Sequence, residues 1–347
     1  MTKFLFIKNK NYISFLKYMF LLILFFSTMI TINSSSWINA WMGMEINLMS
    51  FIPLMMSKFK KKNSTSMMMY FIIQAGASSM LIIMIIFMKM QYFIKMNLMI
   101  NLMQMSILMK LGASPFHWWM PKIIINLNWM NCFIILTWQK IAPLFLLSSF
   151  LNNNSLIYMS ALISSIMGAL LGINQSMLKL ILIYSSINHL GWMLISMMMN
   201  FYMLIYYFLI YSIINLMICM MMMKFNYNFI NQLFKNNNQN MKNKIILISL
   251  FLSLGGLPPM VGFLPKFFSL ILMIKNNLFI ESMIFIIMAT ISLSFYMNPL
   301  LSMFMLTKFN SKWNKKISSN LNMIFSIMMF NIMIILFFMF PLINSIF

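Results

Sequence analysis

Apolar runs of about 20 residues recur from one end of the chain to the other, separated by short polar connections, and each is long enough to cross a hydrocarbon core. Windows of that length place eleven spans near 15–33, 36–56, 67–88, 98–120, 124–148, 155–174, 177–198, 201–223, 245–273, 278–302 and 322–342. The pattern predicts an all-α polytopic membrane protein with about eleven transmembrane helices. The longest polar connection, Lys224 to Lys244, is too short for an extramembrane domain.

Two of these spans are interrupted. The fourth carries Leu111-Gly112-Ala113-Ser114-Pro115-Phe116-His117, and the ninth carries Leu254-Gly255-Gly256-Leu257-Pro258-Pro259. Proline lacks the helix donor and clashes with the preceding turn, so breaks at Gly112 and Pro115, and at Gly255, Gly256, Pro258 and Pro259, are expected. The broken spans are five apart, which divides the chain into two five-helix units, 1–150 and 151–305, followed by a loop and C-terminal helix in 306–347. Because five is odd, the second unit enters from the other side. Two inverted five-helix repeats with discontinuous helices at matching places are the sequence pattern of a transport site.

Composition sharpens this picture. The chain is 62% hydrophobic and 7% charged over 347 residues, against about a quarter charged in a soluble domain. A water-soluble enzyme and a disordered module are excluded. Lysine and arginine together number 24 and aspartate and glutamate 2, for a net charge of +22. Every cation is a lysine, and the acids are Glu45 and Glu281. The lysines are scattered between spans and form no stripe for nucleic acid. Eighteen lie on the side of the N-terminus, three (Lys89, Lys95 and Lys275) on the opposite side, and three (Lys110, Lys140 and Lys266) inside spans. The positive-inside rule then puts the N-terminus on the side where translation occurs. The 48 methionines fit adenine- and thymine-rich codons with ATA read as methionine, as in animal mitochondria. Under that reading the N-terminus faces the matrix, Phe347 faces the intermembrane space, and an Arg-rich leader is unnecessary. No nucleotide loop, carboxylate cluster or Cys-x-x-Cys spacing occurs, so no metal or cofactor site is expected, and Cys132 and Cys219 read as buried small side chains.

The charges inside spans carry the candidate chemistry. An ionised group at the middle of a spanning helix costs roughly 2.5–3.5 kcal/mol on insertion scales. Glu45 sits centrally in the second span, and Lys140 is expected well inside the fifth, 16 residues from its start and 8 from its end. Lys110 and Lys266 flank the two breaks, where freed carbonyls and trapped water can solvate an ammonium. Desolvation favours a neutral amine and a nearby carboxylate favours the ammonium, so making and breaking a Glu45–lysine pair would load and release a proton. His189, in the seventh span, takes the place of Glu45 in the second unit and suits a relay. His117, in the first break, is a secondary candidate for a water path. Glu281 reads as a solvated charge at a span edge.

The segments Trp41-Met42-Gly43-Met44-Glu45-Ile46-Asn47, Lys110 through Trp119, Thr137-Trp138-Gln139-Lys140, Ser185 through Trp192, Leu252 through Pro259 and Gly262 through Lys266 together resemble the antiporter-like membrane subunits of NADH:ubiquinone oxidoreductase, respiratory complex I. The composition is similar to an insect mitochondrial copy. That resemblance implies a proton-translocating subunit of the membrane arm, with Glu45 paired to Lys110, Lys140 as central relay and Lys266 ending the channel. It implies that NADH, FMN, iron–sulfur clusters and ubiquinone belong to other subunits. The implied partners are antiporter-like subunit 4, the small subunits 4L, 3, 6 and 1, nuclear-encoded supernumerary subunits and membrane lipid. A sodium/proton antiporter subunit and a purely structural scaffold are the competing readings. The first would want more carboxylate than Glu45, and the second gains nothing from Lys140.

Overall fold

The protein is described by a computed structural model, which describes residues 2–56, 61–90, 96–150, 155–235 and 241–309. The helix expected at 322–342 and most of the region 306–347 lie outside the described residues, as do Lys58, Lys60, Lys95 and Lys312. The chain divides into two compact units, Met1–Ser160 and Ala161–Phe347.

The first unit contains α1 (Thr2–Ile32), α2 (Trp37–Met55), α3 (Lys61–Lys89), α4 (Met96–Leu111), α5 (Trp119–Ile124), α6 (Trp129–Leu136) and α7 (Trp138–Ser148). Helix α8 (Ser155–Gly172) runs across the boundary. The second unit continues with α9 (Leu178–Met199), α10 (Phe201–Phe225), α11 (Ile230–Lys235), α12 (Met241–Gly255), α13 (Phe263–Lys275) and α14 (Phe279–Phe309). Among the described residues, seven helical segments are long and apolar enough to cross a membrane. Among the described residues the elements are helical, apart from a single antiparallel bridge between Met177 and Phe229.

The helices turn their polar side chains inward. On α1, Ser27, Thr28 and Thr31 are buried, whereas Tyr18, Leu22, Phe26 and Met29 are exposed. On α3, Tyr70, Gln74, Ala77, Ser78, Leu81 and Ile85 form one buried stripe at helical spacing, and Met68, Ile72, Met80 and Ile83 face outward. Lipid tails are as apolar as leucine, so burial selects small and polar groups that pack closely or hydrogen-bond. Gly43 shows the principle: a Cβ there would lie 2.5 Å from Thr31 Cγ2 and 3.2 Å from the Ser27 carbonyl oxygen. A glycine at that position lets α1 and α2 cross closely. In the second unit, Gly168 on α8 lies against the Asn188 backbone, and Gly191 on α9 against the Ala161 carbonyl. Helix α9 is buried on nearly every face, Ser185, Ser186, Asn188 and His189 included.

Both expected breaks are present, and they end their helices alike. At Gly112 (φ 67°), the Gly112 amide bonds the Met109 carbonyl at 3.2 Å and the Ala113 amide bonds that of Leu108 at 3.2 Å. At Gly256 (φ 80°), the Gly256 amide bonds the Ser253 carbonyl at 3.2 Å and the Leu257 amide bonds that of Leu252 at 3.4 Å. Each is a Schellman cap, which needs the left-handed conformation that glycine adopts without a Cβ penalty.

The fifth span departs from expectation. It is not one helix with Lys140 at its middle but two, α6 and α7, joined at Thr137 (φ −123°, ψ −73°). The Thr137 amide and hydroxyl both donate to the Phe133 carbonyl, at 3.0 and 2.8 Å. Back-bonding by a threonine hydroxyl to the carbonyl four residues earlier bends helices. Lys140 therefore sits in the first turn of α7. Pro143 has no amide to offer the Gln139 carbonyl one turn below it, so the backbone beside Lys140 is unusually polar for a span.

Candidate functional site

The first unit brings Glu45, Lys110 and Lys140 together from α2, α4 and α7. Glu45 projects from the middle of α2, and Lys110 from the last turn of α4, just before the Gly112 cap. Lys110 Nζ lies 3.9 Å from Glu45 Oε1, with the Lys110 side chain 4% exposed and that of Glu45 23% exposed. At about 4 Å and an effective dielectric near 20 the attraction is of order 4 kcal/mol. The separation exceeds a direct hydrogen bond, and the buried Oε1 atom makes no hydrogen bond among the described residues. Attraction without a locking hydrogen bond suits a contact that opens.

Lys140 is 1% exposed and lines the same cavity as Lys110, a void of about 20 Å³. That is room for about one water. Asn47, Tyr70, Gln74 and Gln139 add polar atoms to its wall. Gln139 Nε2 donates to Asn47 Oδ1 at 3.0 Å, Tyr70 Oη donates to Gln139 Oε1 at 3.4 Å, and Gln74 Nε2 donates to the Lys110 carbonyl at 3.2 Å. Neutral polar side chains thus tie α2, α3, α4 and α7 around the two amines. Sequence reasoning missed these four residues as site components. Their signal was available: Asn47 and Gln139 stand inside apolar spans, and Tyr70 and Gln74 are four apart on one face of α3.

The second unit treats its lysine differently. Lys266, in the first turns of α13, is 5% exposed. Its Nζ donates to the Gly255 carbonyl at 3.0 Å and to the Leu254 carbonyl at 3.4 Å. Those carbonyls end α12, where acceptors lack helical partners and the helix dipole is negative. A Cβ on Gly256 would lie 3.1 Å from Nζ, so the glycine that forms the cap also makes room for the ammonium. The structure does not place a carboxylate beside Lys266 among the described residues.

His189 lies on α9, buried, with Nδ1 2.8 Å from Tyr207 Oη and its ring 5.1 Å from that of Tyr211. His117 is half-buried in the first break, its Nδ1 2.9 Å from Ser114 Oγ. Glu281 is in the first turn of α14, and Lys89 and Lys275 are in the last turns of α3 and α13, each with the sign that its helix end favours. The structure thus brings Glu45, Lys110 and Lys140 into one neighbourhood in the first unit, and places Lys266 and His189 in the second.

Residues 34–295 match the family described as NADH:quinone oxidoreductase/Mrp antiporter, transmembrane. The chain is 42% identical over 322 residues to NADH-ubiquinone oxidoreductase chain 2 of Anopheles gambiae, covering 90% of this chain and 93% of that one. It is 37% identical over 313 residues to the protein of the same name from Locusta migratoria, covering 88% and 90%. Among solved structures, a chain of respiratory complex I from Thermus thermophilus with bound aureothin superposes with a TM-score of 0.76 at 18% identity, covering 83% of this chain and 70% of that one.

Proposed function

The chain belongs to the NADH:quinone oxidoreductase/Mrp antiporter membrane family, and from that premise we propose that it is a proton-translocating membrane-arm subunit of NADH:ubiquinone oxidoreductase. It is a multi-pass membrane protein that moves protons as electrons pass from NADH to ubiquinone elsewhere in the assembly. The setting is the inner mitochondrial membrane, with the N-terminus on the matrix side and the C-terminus in the intermembrane space. The partners are the other membrane-arm subunits: antiporter-like subunit 4, subunits 4L, 3, 6 and 1, and the supernumerary subunits. The redox groups belong to those other parts, and this chain contributes the proton path.

The observation that carries this reading is the pair of buried amines, Lys110 and Lys140, at one small polar cavity with Glu45 against the first of them. With Glu45 close, Lys110 holds its proton. When the pair opens, the ammonium loses its counter-charge inside an apolar bundle, and transfer through a cavity water to Lys140 becomes favourable. Lys266, cradled by the α12 carbonyls, and His189 supply the corresponding positions in the second unit, and His117 lies at the first break. A structural scaffold would gain nothing from burying Lys140.

The test is Lys140→Met, which keeps the volume and removes the amine. In the assembled complex this variant is expected to lower NADH-driven proton translocation by about tenfold or more, with normal amounts of complex on native gels. Full proton translocation at normal assembly would favour the scaffold. A sodium requirement for pumping in reconstituted vesicles would favour a cation antiporter.

A further inference from the structure

Lys140 rides on the turn of α7 that the helix itself holds least. That helix begins at Thr137 with no side-chain cap, the Thr137 hydroxyl being committed to the Phe133 carbonyl behind it at 2.8 Å. One turn on, Pro143 offers no amide to the Gln139 carbonyl. The first amides of a helix have no intrahelical partner either, so the placement of this turn falls to side chains. Trp138 packs edge-on against Phe25 of α1, with ring centroids 4.4 Å apart. Gln139 engages both ends of its amide, each on a different helix. Its Nε2 donates to Asn47 Oδ1 on α2 at 3.0 Å, and its Oε1 accepts from Tyr70 Oη on α3 at 3.4 Å. The backbone of α7 packs on α1, α4 and α6, so the amide reaches across a wider gap to α2, the helix that carries Glu45. One turn along α3 from Tyr70, Gln74 Nε2 donates to the Lys110 carbonyl at 3.2 Å. The Gly112 cap fills the Leu108 and Met109 carbonyls and leaves that one to Gln74. Two side chains of α3 therefore hold the residue beside one lysine and the backbone of the other.

We propose that Gln139 is the positioning residue for Lys140: with Asn47 and Tyr70 at the two ends of its amide, it keeps that amine on the cavity shared with Lys110 while the Glu45 contact makes and breaks. The inference rests on the proton-translocating reading above and adds to it what fixes the geometry of the transfer. Gln139 itself carries no proton. A cavity of about 20 Å³ has room for about one water between the two amines, and a first turn of α7 left to swing would take Lys140 out of reach of that water. Asn47 stands two residues beyond Glu45 on α2. The helix that presents the carboxylate thus also holds the amide, and a shift of α2 that opens the ion pair acts on α7 through the hydrogen bond between Asn47 and Gln139.

The experiment uses the assembled complex in sealed inner-membrane vesicles, with protons moved per NADH oxidised read on each variant and assembly followed on native gels. Gln139→Met keeps the length of the side chain and removes both bonds of its amide. It is expected to lower the ratio about fivefold, the factor to which one hydrogen bond of ordinary net strength corresponds. Asn47→Gln and Gln139→Asn each upset the span between α2 and α7, and each alone is expected to lower the ratio. Together they move one methylene from α7 to α2 and leave the span unchanged, and the double exchange is expected to recover most of the parent ratio. Tyr70→Phe removes the longer bond alone and is expected to lose less than Gln139→Met. Asn131→Leu is the control: Asn131 Nδ2 donates to the Leu54 carbonyl at 2.9 Å and so ties α6 to α2 outside the cavity wall, and its loss is expected to keep the parent ratio. A parent ratio in Gln139→Met, with less complex assembled, would show a purely structural amide and overturn the proposal, as would a double exchange no better than its singles. Lys140→Met separates the two levels. If it loses translocation while Gln139→Met keeps it, the positioning role is wrong and the proton-translocating reading stands. If Lys140→Met also pumps normally, the reading itself fails.

Discussion

Gly112 and Gly256 cap α4 and α12 with the same hydrogen-bond pattern, and each cap has a buried lysine beside it. From there the two breaks diverge. In the first unit the lysine precedes the cap, on the helix that ends, and its counter-charge is the Glu45 carboxylate 3.9 Å away on another helix. In the second the lysine follows the cap, on the helix that begins, and its partners are the Leu254 and Gly255 carbonyls. A carboxylate on a neighbouring helix can move away by a rotamer change or a small shift of α2. Backbone carbonyls at the end of α12 cannot move away without undoing the cap. One fold device therefore yields a cation whose partner is adjustable and a cation whose partners are fixed, which suits loading and release at the first and steady holding at the second.

The largest expected effect comes from removing the adjustable partner. Glu45→Gln preserves shape and leaves Lys110 buried without its carboxylate, and breaking a buried pair from one side typically costs about 3–5 kcal/mol. The partial exposure of Glu45 reduces that figure. Proton translocation per NADH is expected to fall by about tenfold or more, read on assembled complex. A parent-like ratio would erase the distinction between the two breaks.

A smaller effect separates the caps. Both Gly112→Ala and Gly256→Ala force a side chain into a left-handed backbone, at about 1–2 kcal/mol each. At Gly112 the new methyl meets the flexible end of Met120, whereas at Gly256 it meets Lys266 Cδ at 3.0 Å and Nζ at 3.1 Å. Both variants are expected to lower the midpoint of thermal inactivation similarly, and only Gly256→Ala to lower translocation several-fold, near what about 1 kcal/mol gives. Equal losses of translocation would mean that the cap, and not the lysine it shelters, is what matters.

The smallest expected effect on translocation concerns the approach of α1 to α2. Gly43→Ala, two residues before Glu45, would press on Thr31 Cγ2 and cost about 1–3 kcal/mol of overpacking. Assembled complex is expected to decrease on native gels, and Thr31→Ser in the same chain, by removing that methyl, to restore it. Failure of the rescue would show that the close crossing is not what holds α2 and its carboxylate in place.

Much of this was legible in the sequence. Periodicity is a weak guide in spans that are apolar all round, but length and hydropathy were enough for the all-helical, multi-pass class. The Gly/Pro runs located both breaks because glycine and proline act on the backbone directly. The intramembrane charges singled out Glu45, Lys110, Lys140 and Lys266 as candidates because each is costly and needs a reason to be there, and the structure buries the three lysines. What stayed hidden depends on tertiary placement. The break at Thr137 carries no glycine or proline, and the backbone angles at Thr137 with the second bond to the Phe133 carbonyl reveal it. Asn47, Tyr70, Gln74 and Gln139 are ordinary one at a time and become a site wall only when α2, α3 and α7 meet. The partners of Lys266 are main-chain carbonyls, which no residue type announces.

The loading contact between Glu45 and Lys110 is tested most directly by a double-mutant cycle on protons moved per NADH in assembled complex, comparing Glu45→Gln, Lys110→Met and the two together. If the residues act as one device, the double variant translocates no worse than the more affected single variant. Losses that multiply in the double variant would show that the carboxylate and the amine serve the path independently, and the switch described here would be wrong.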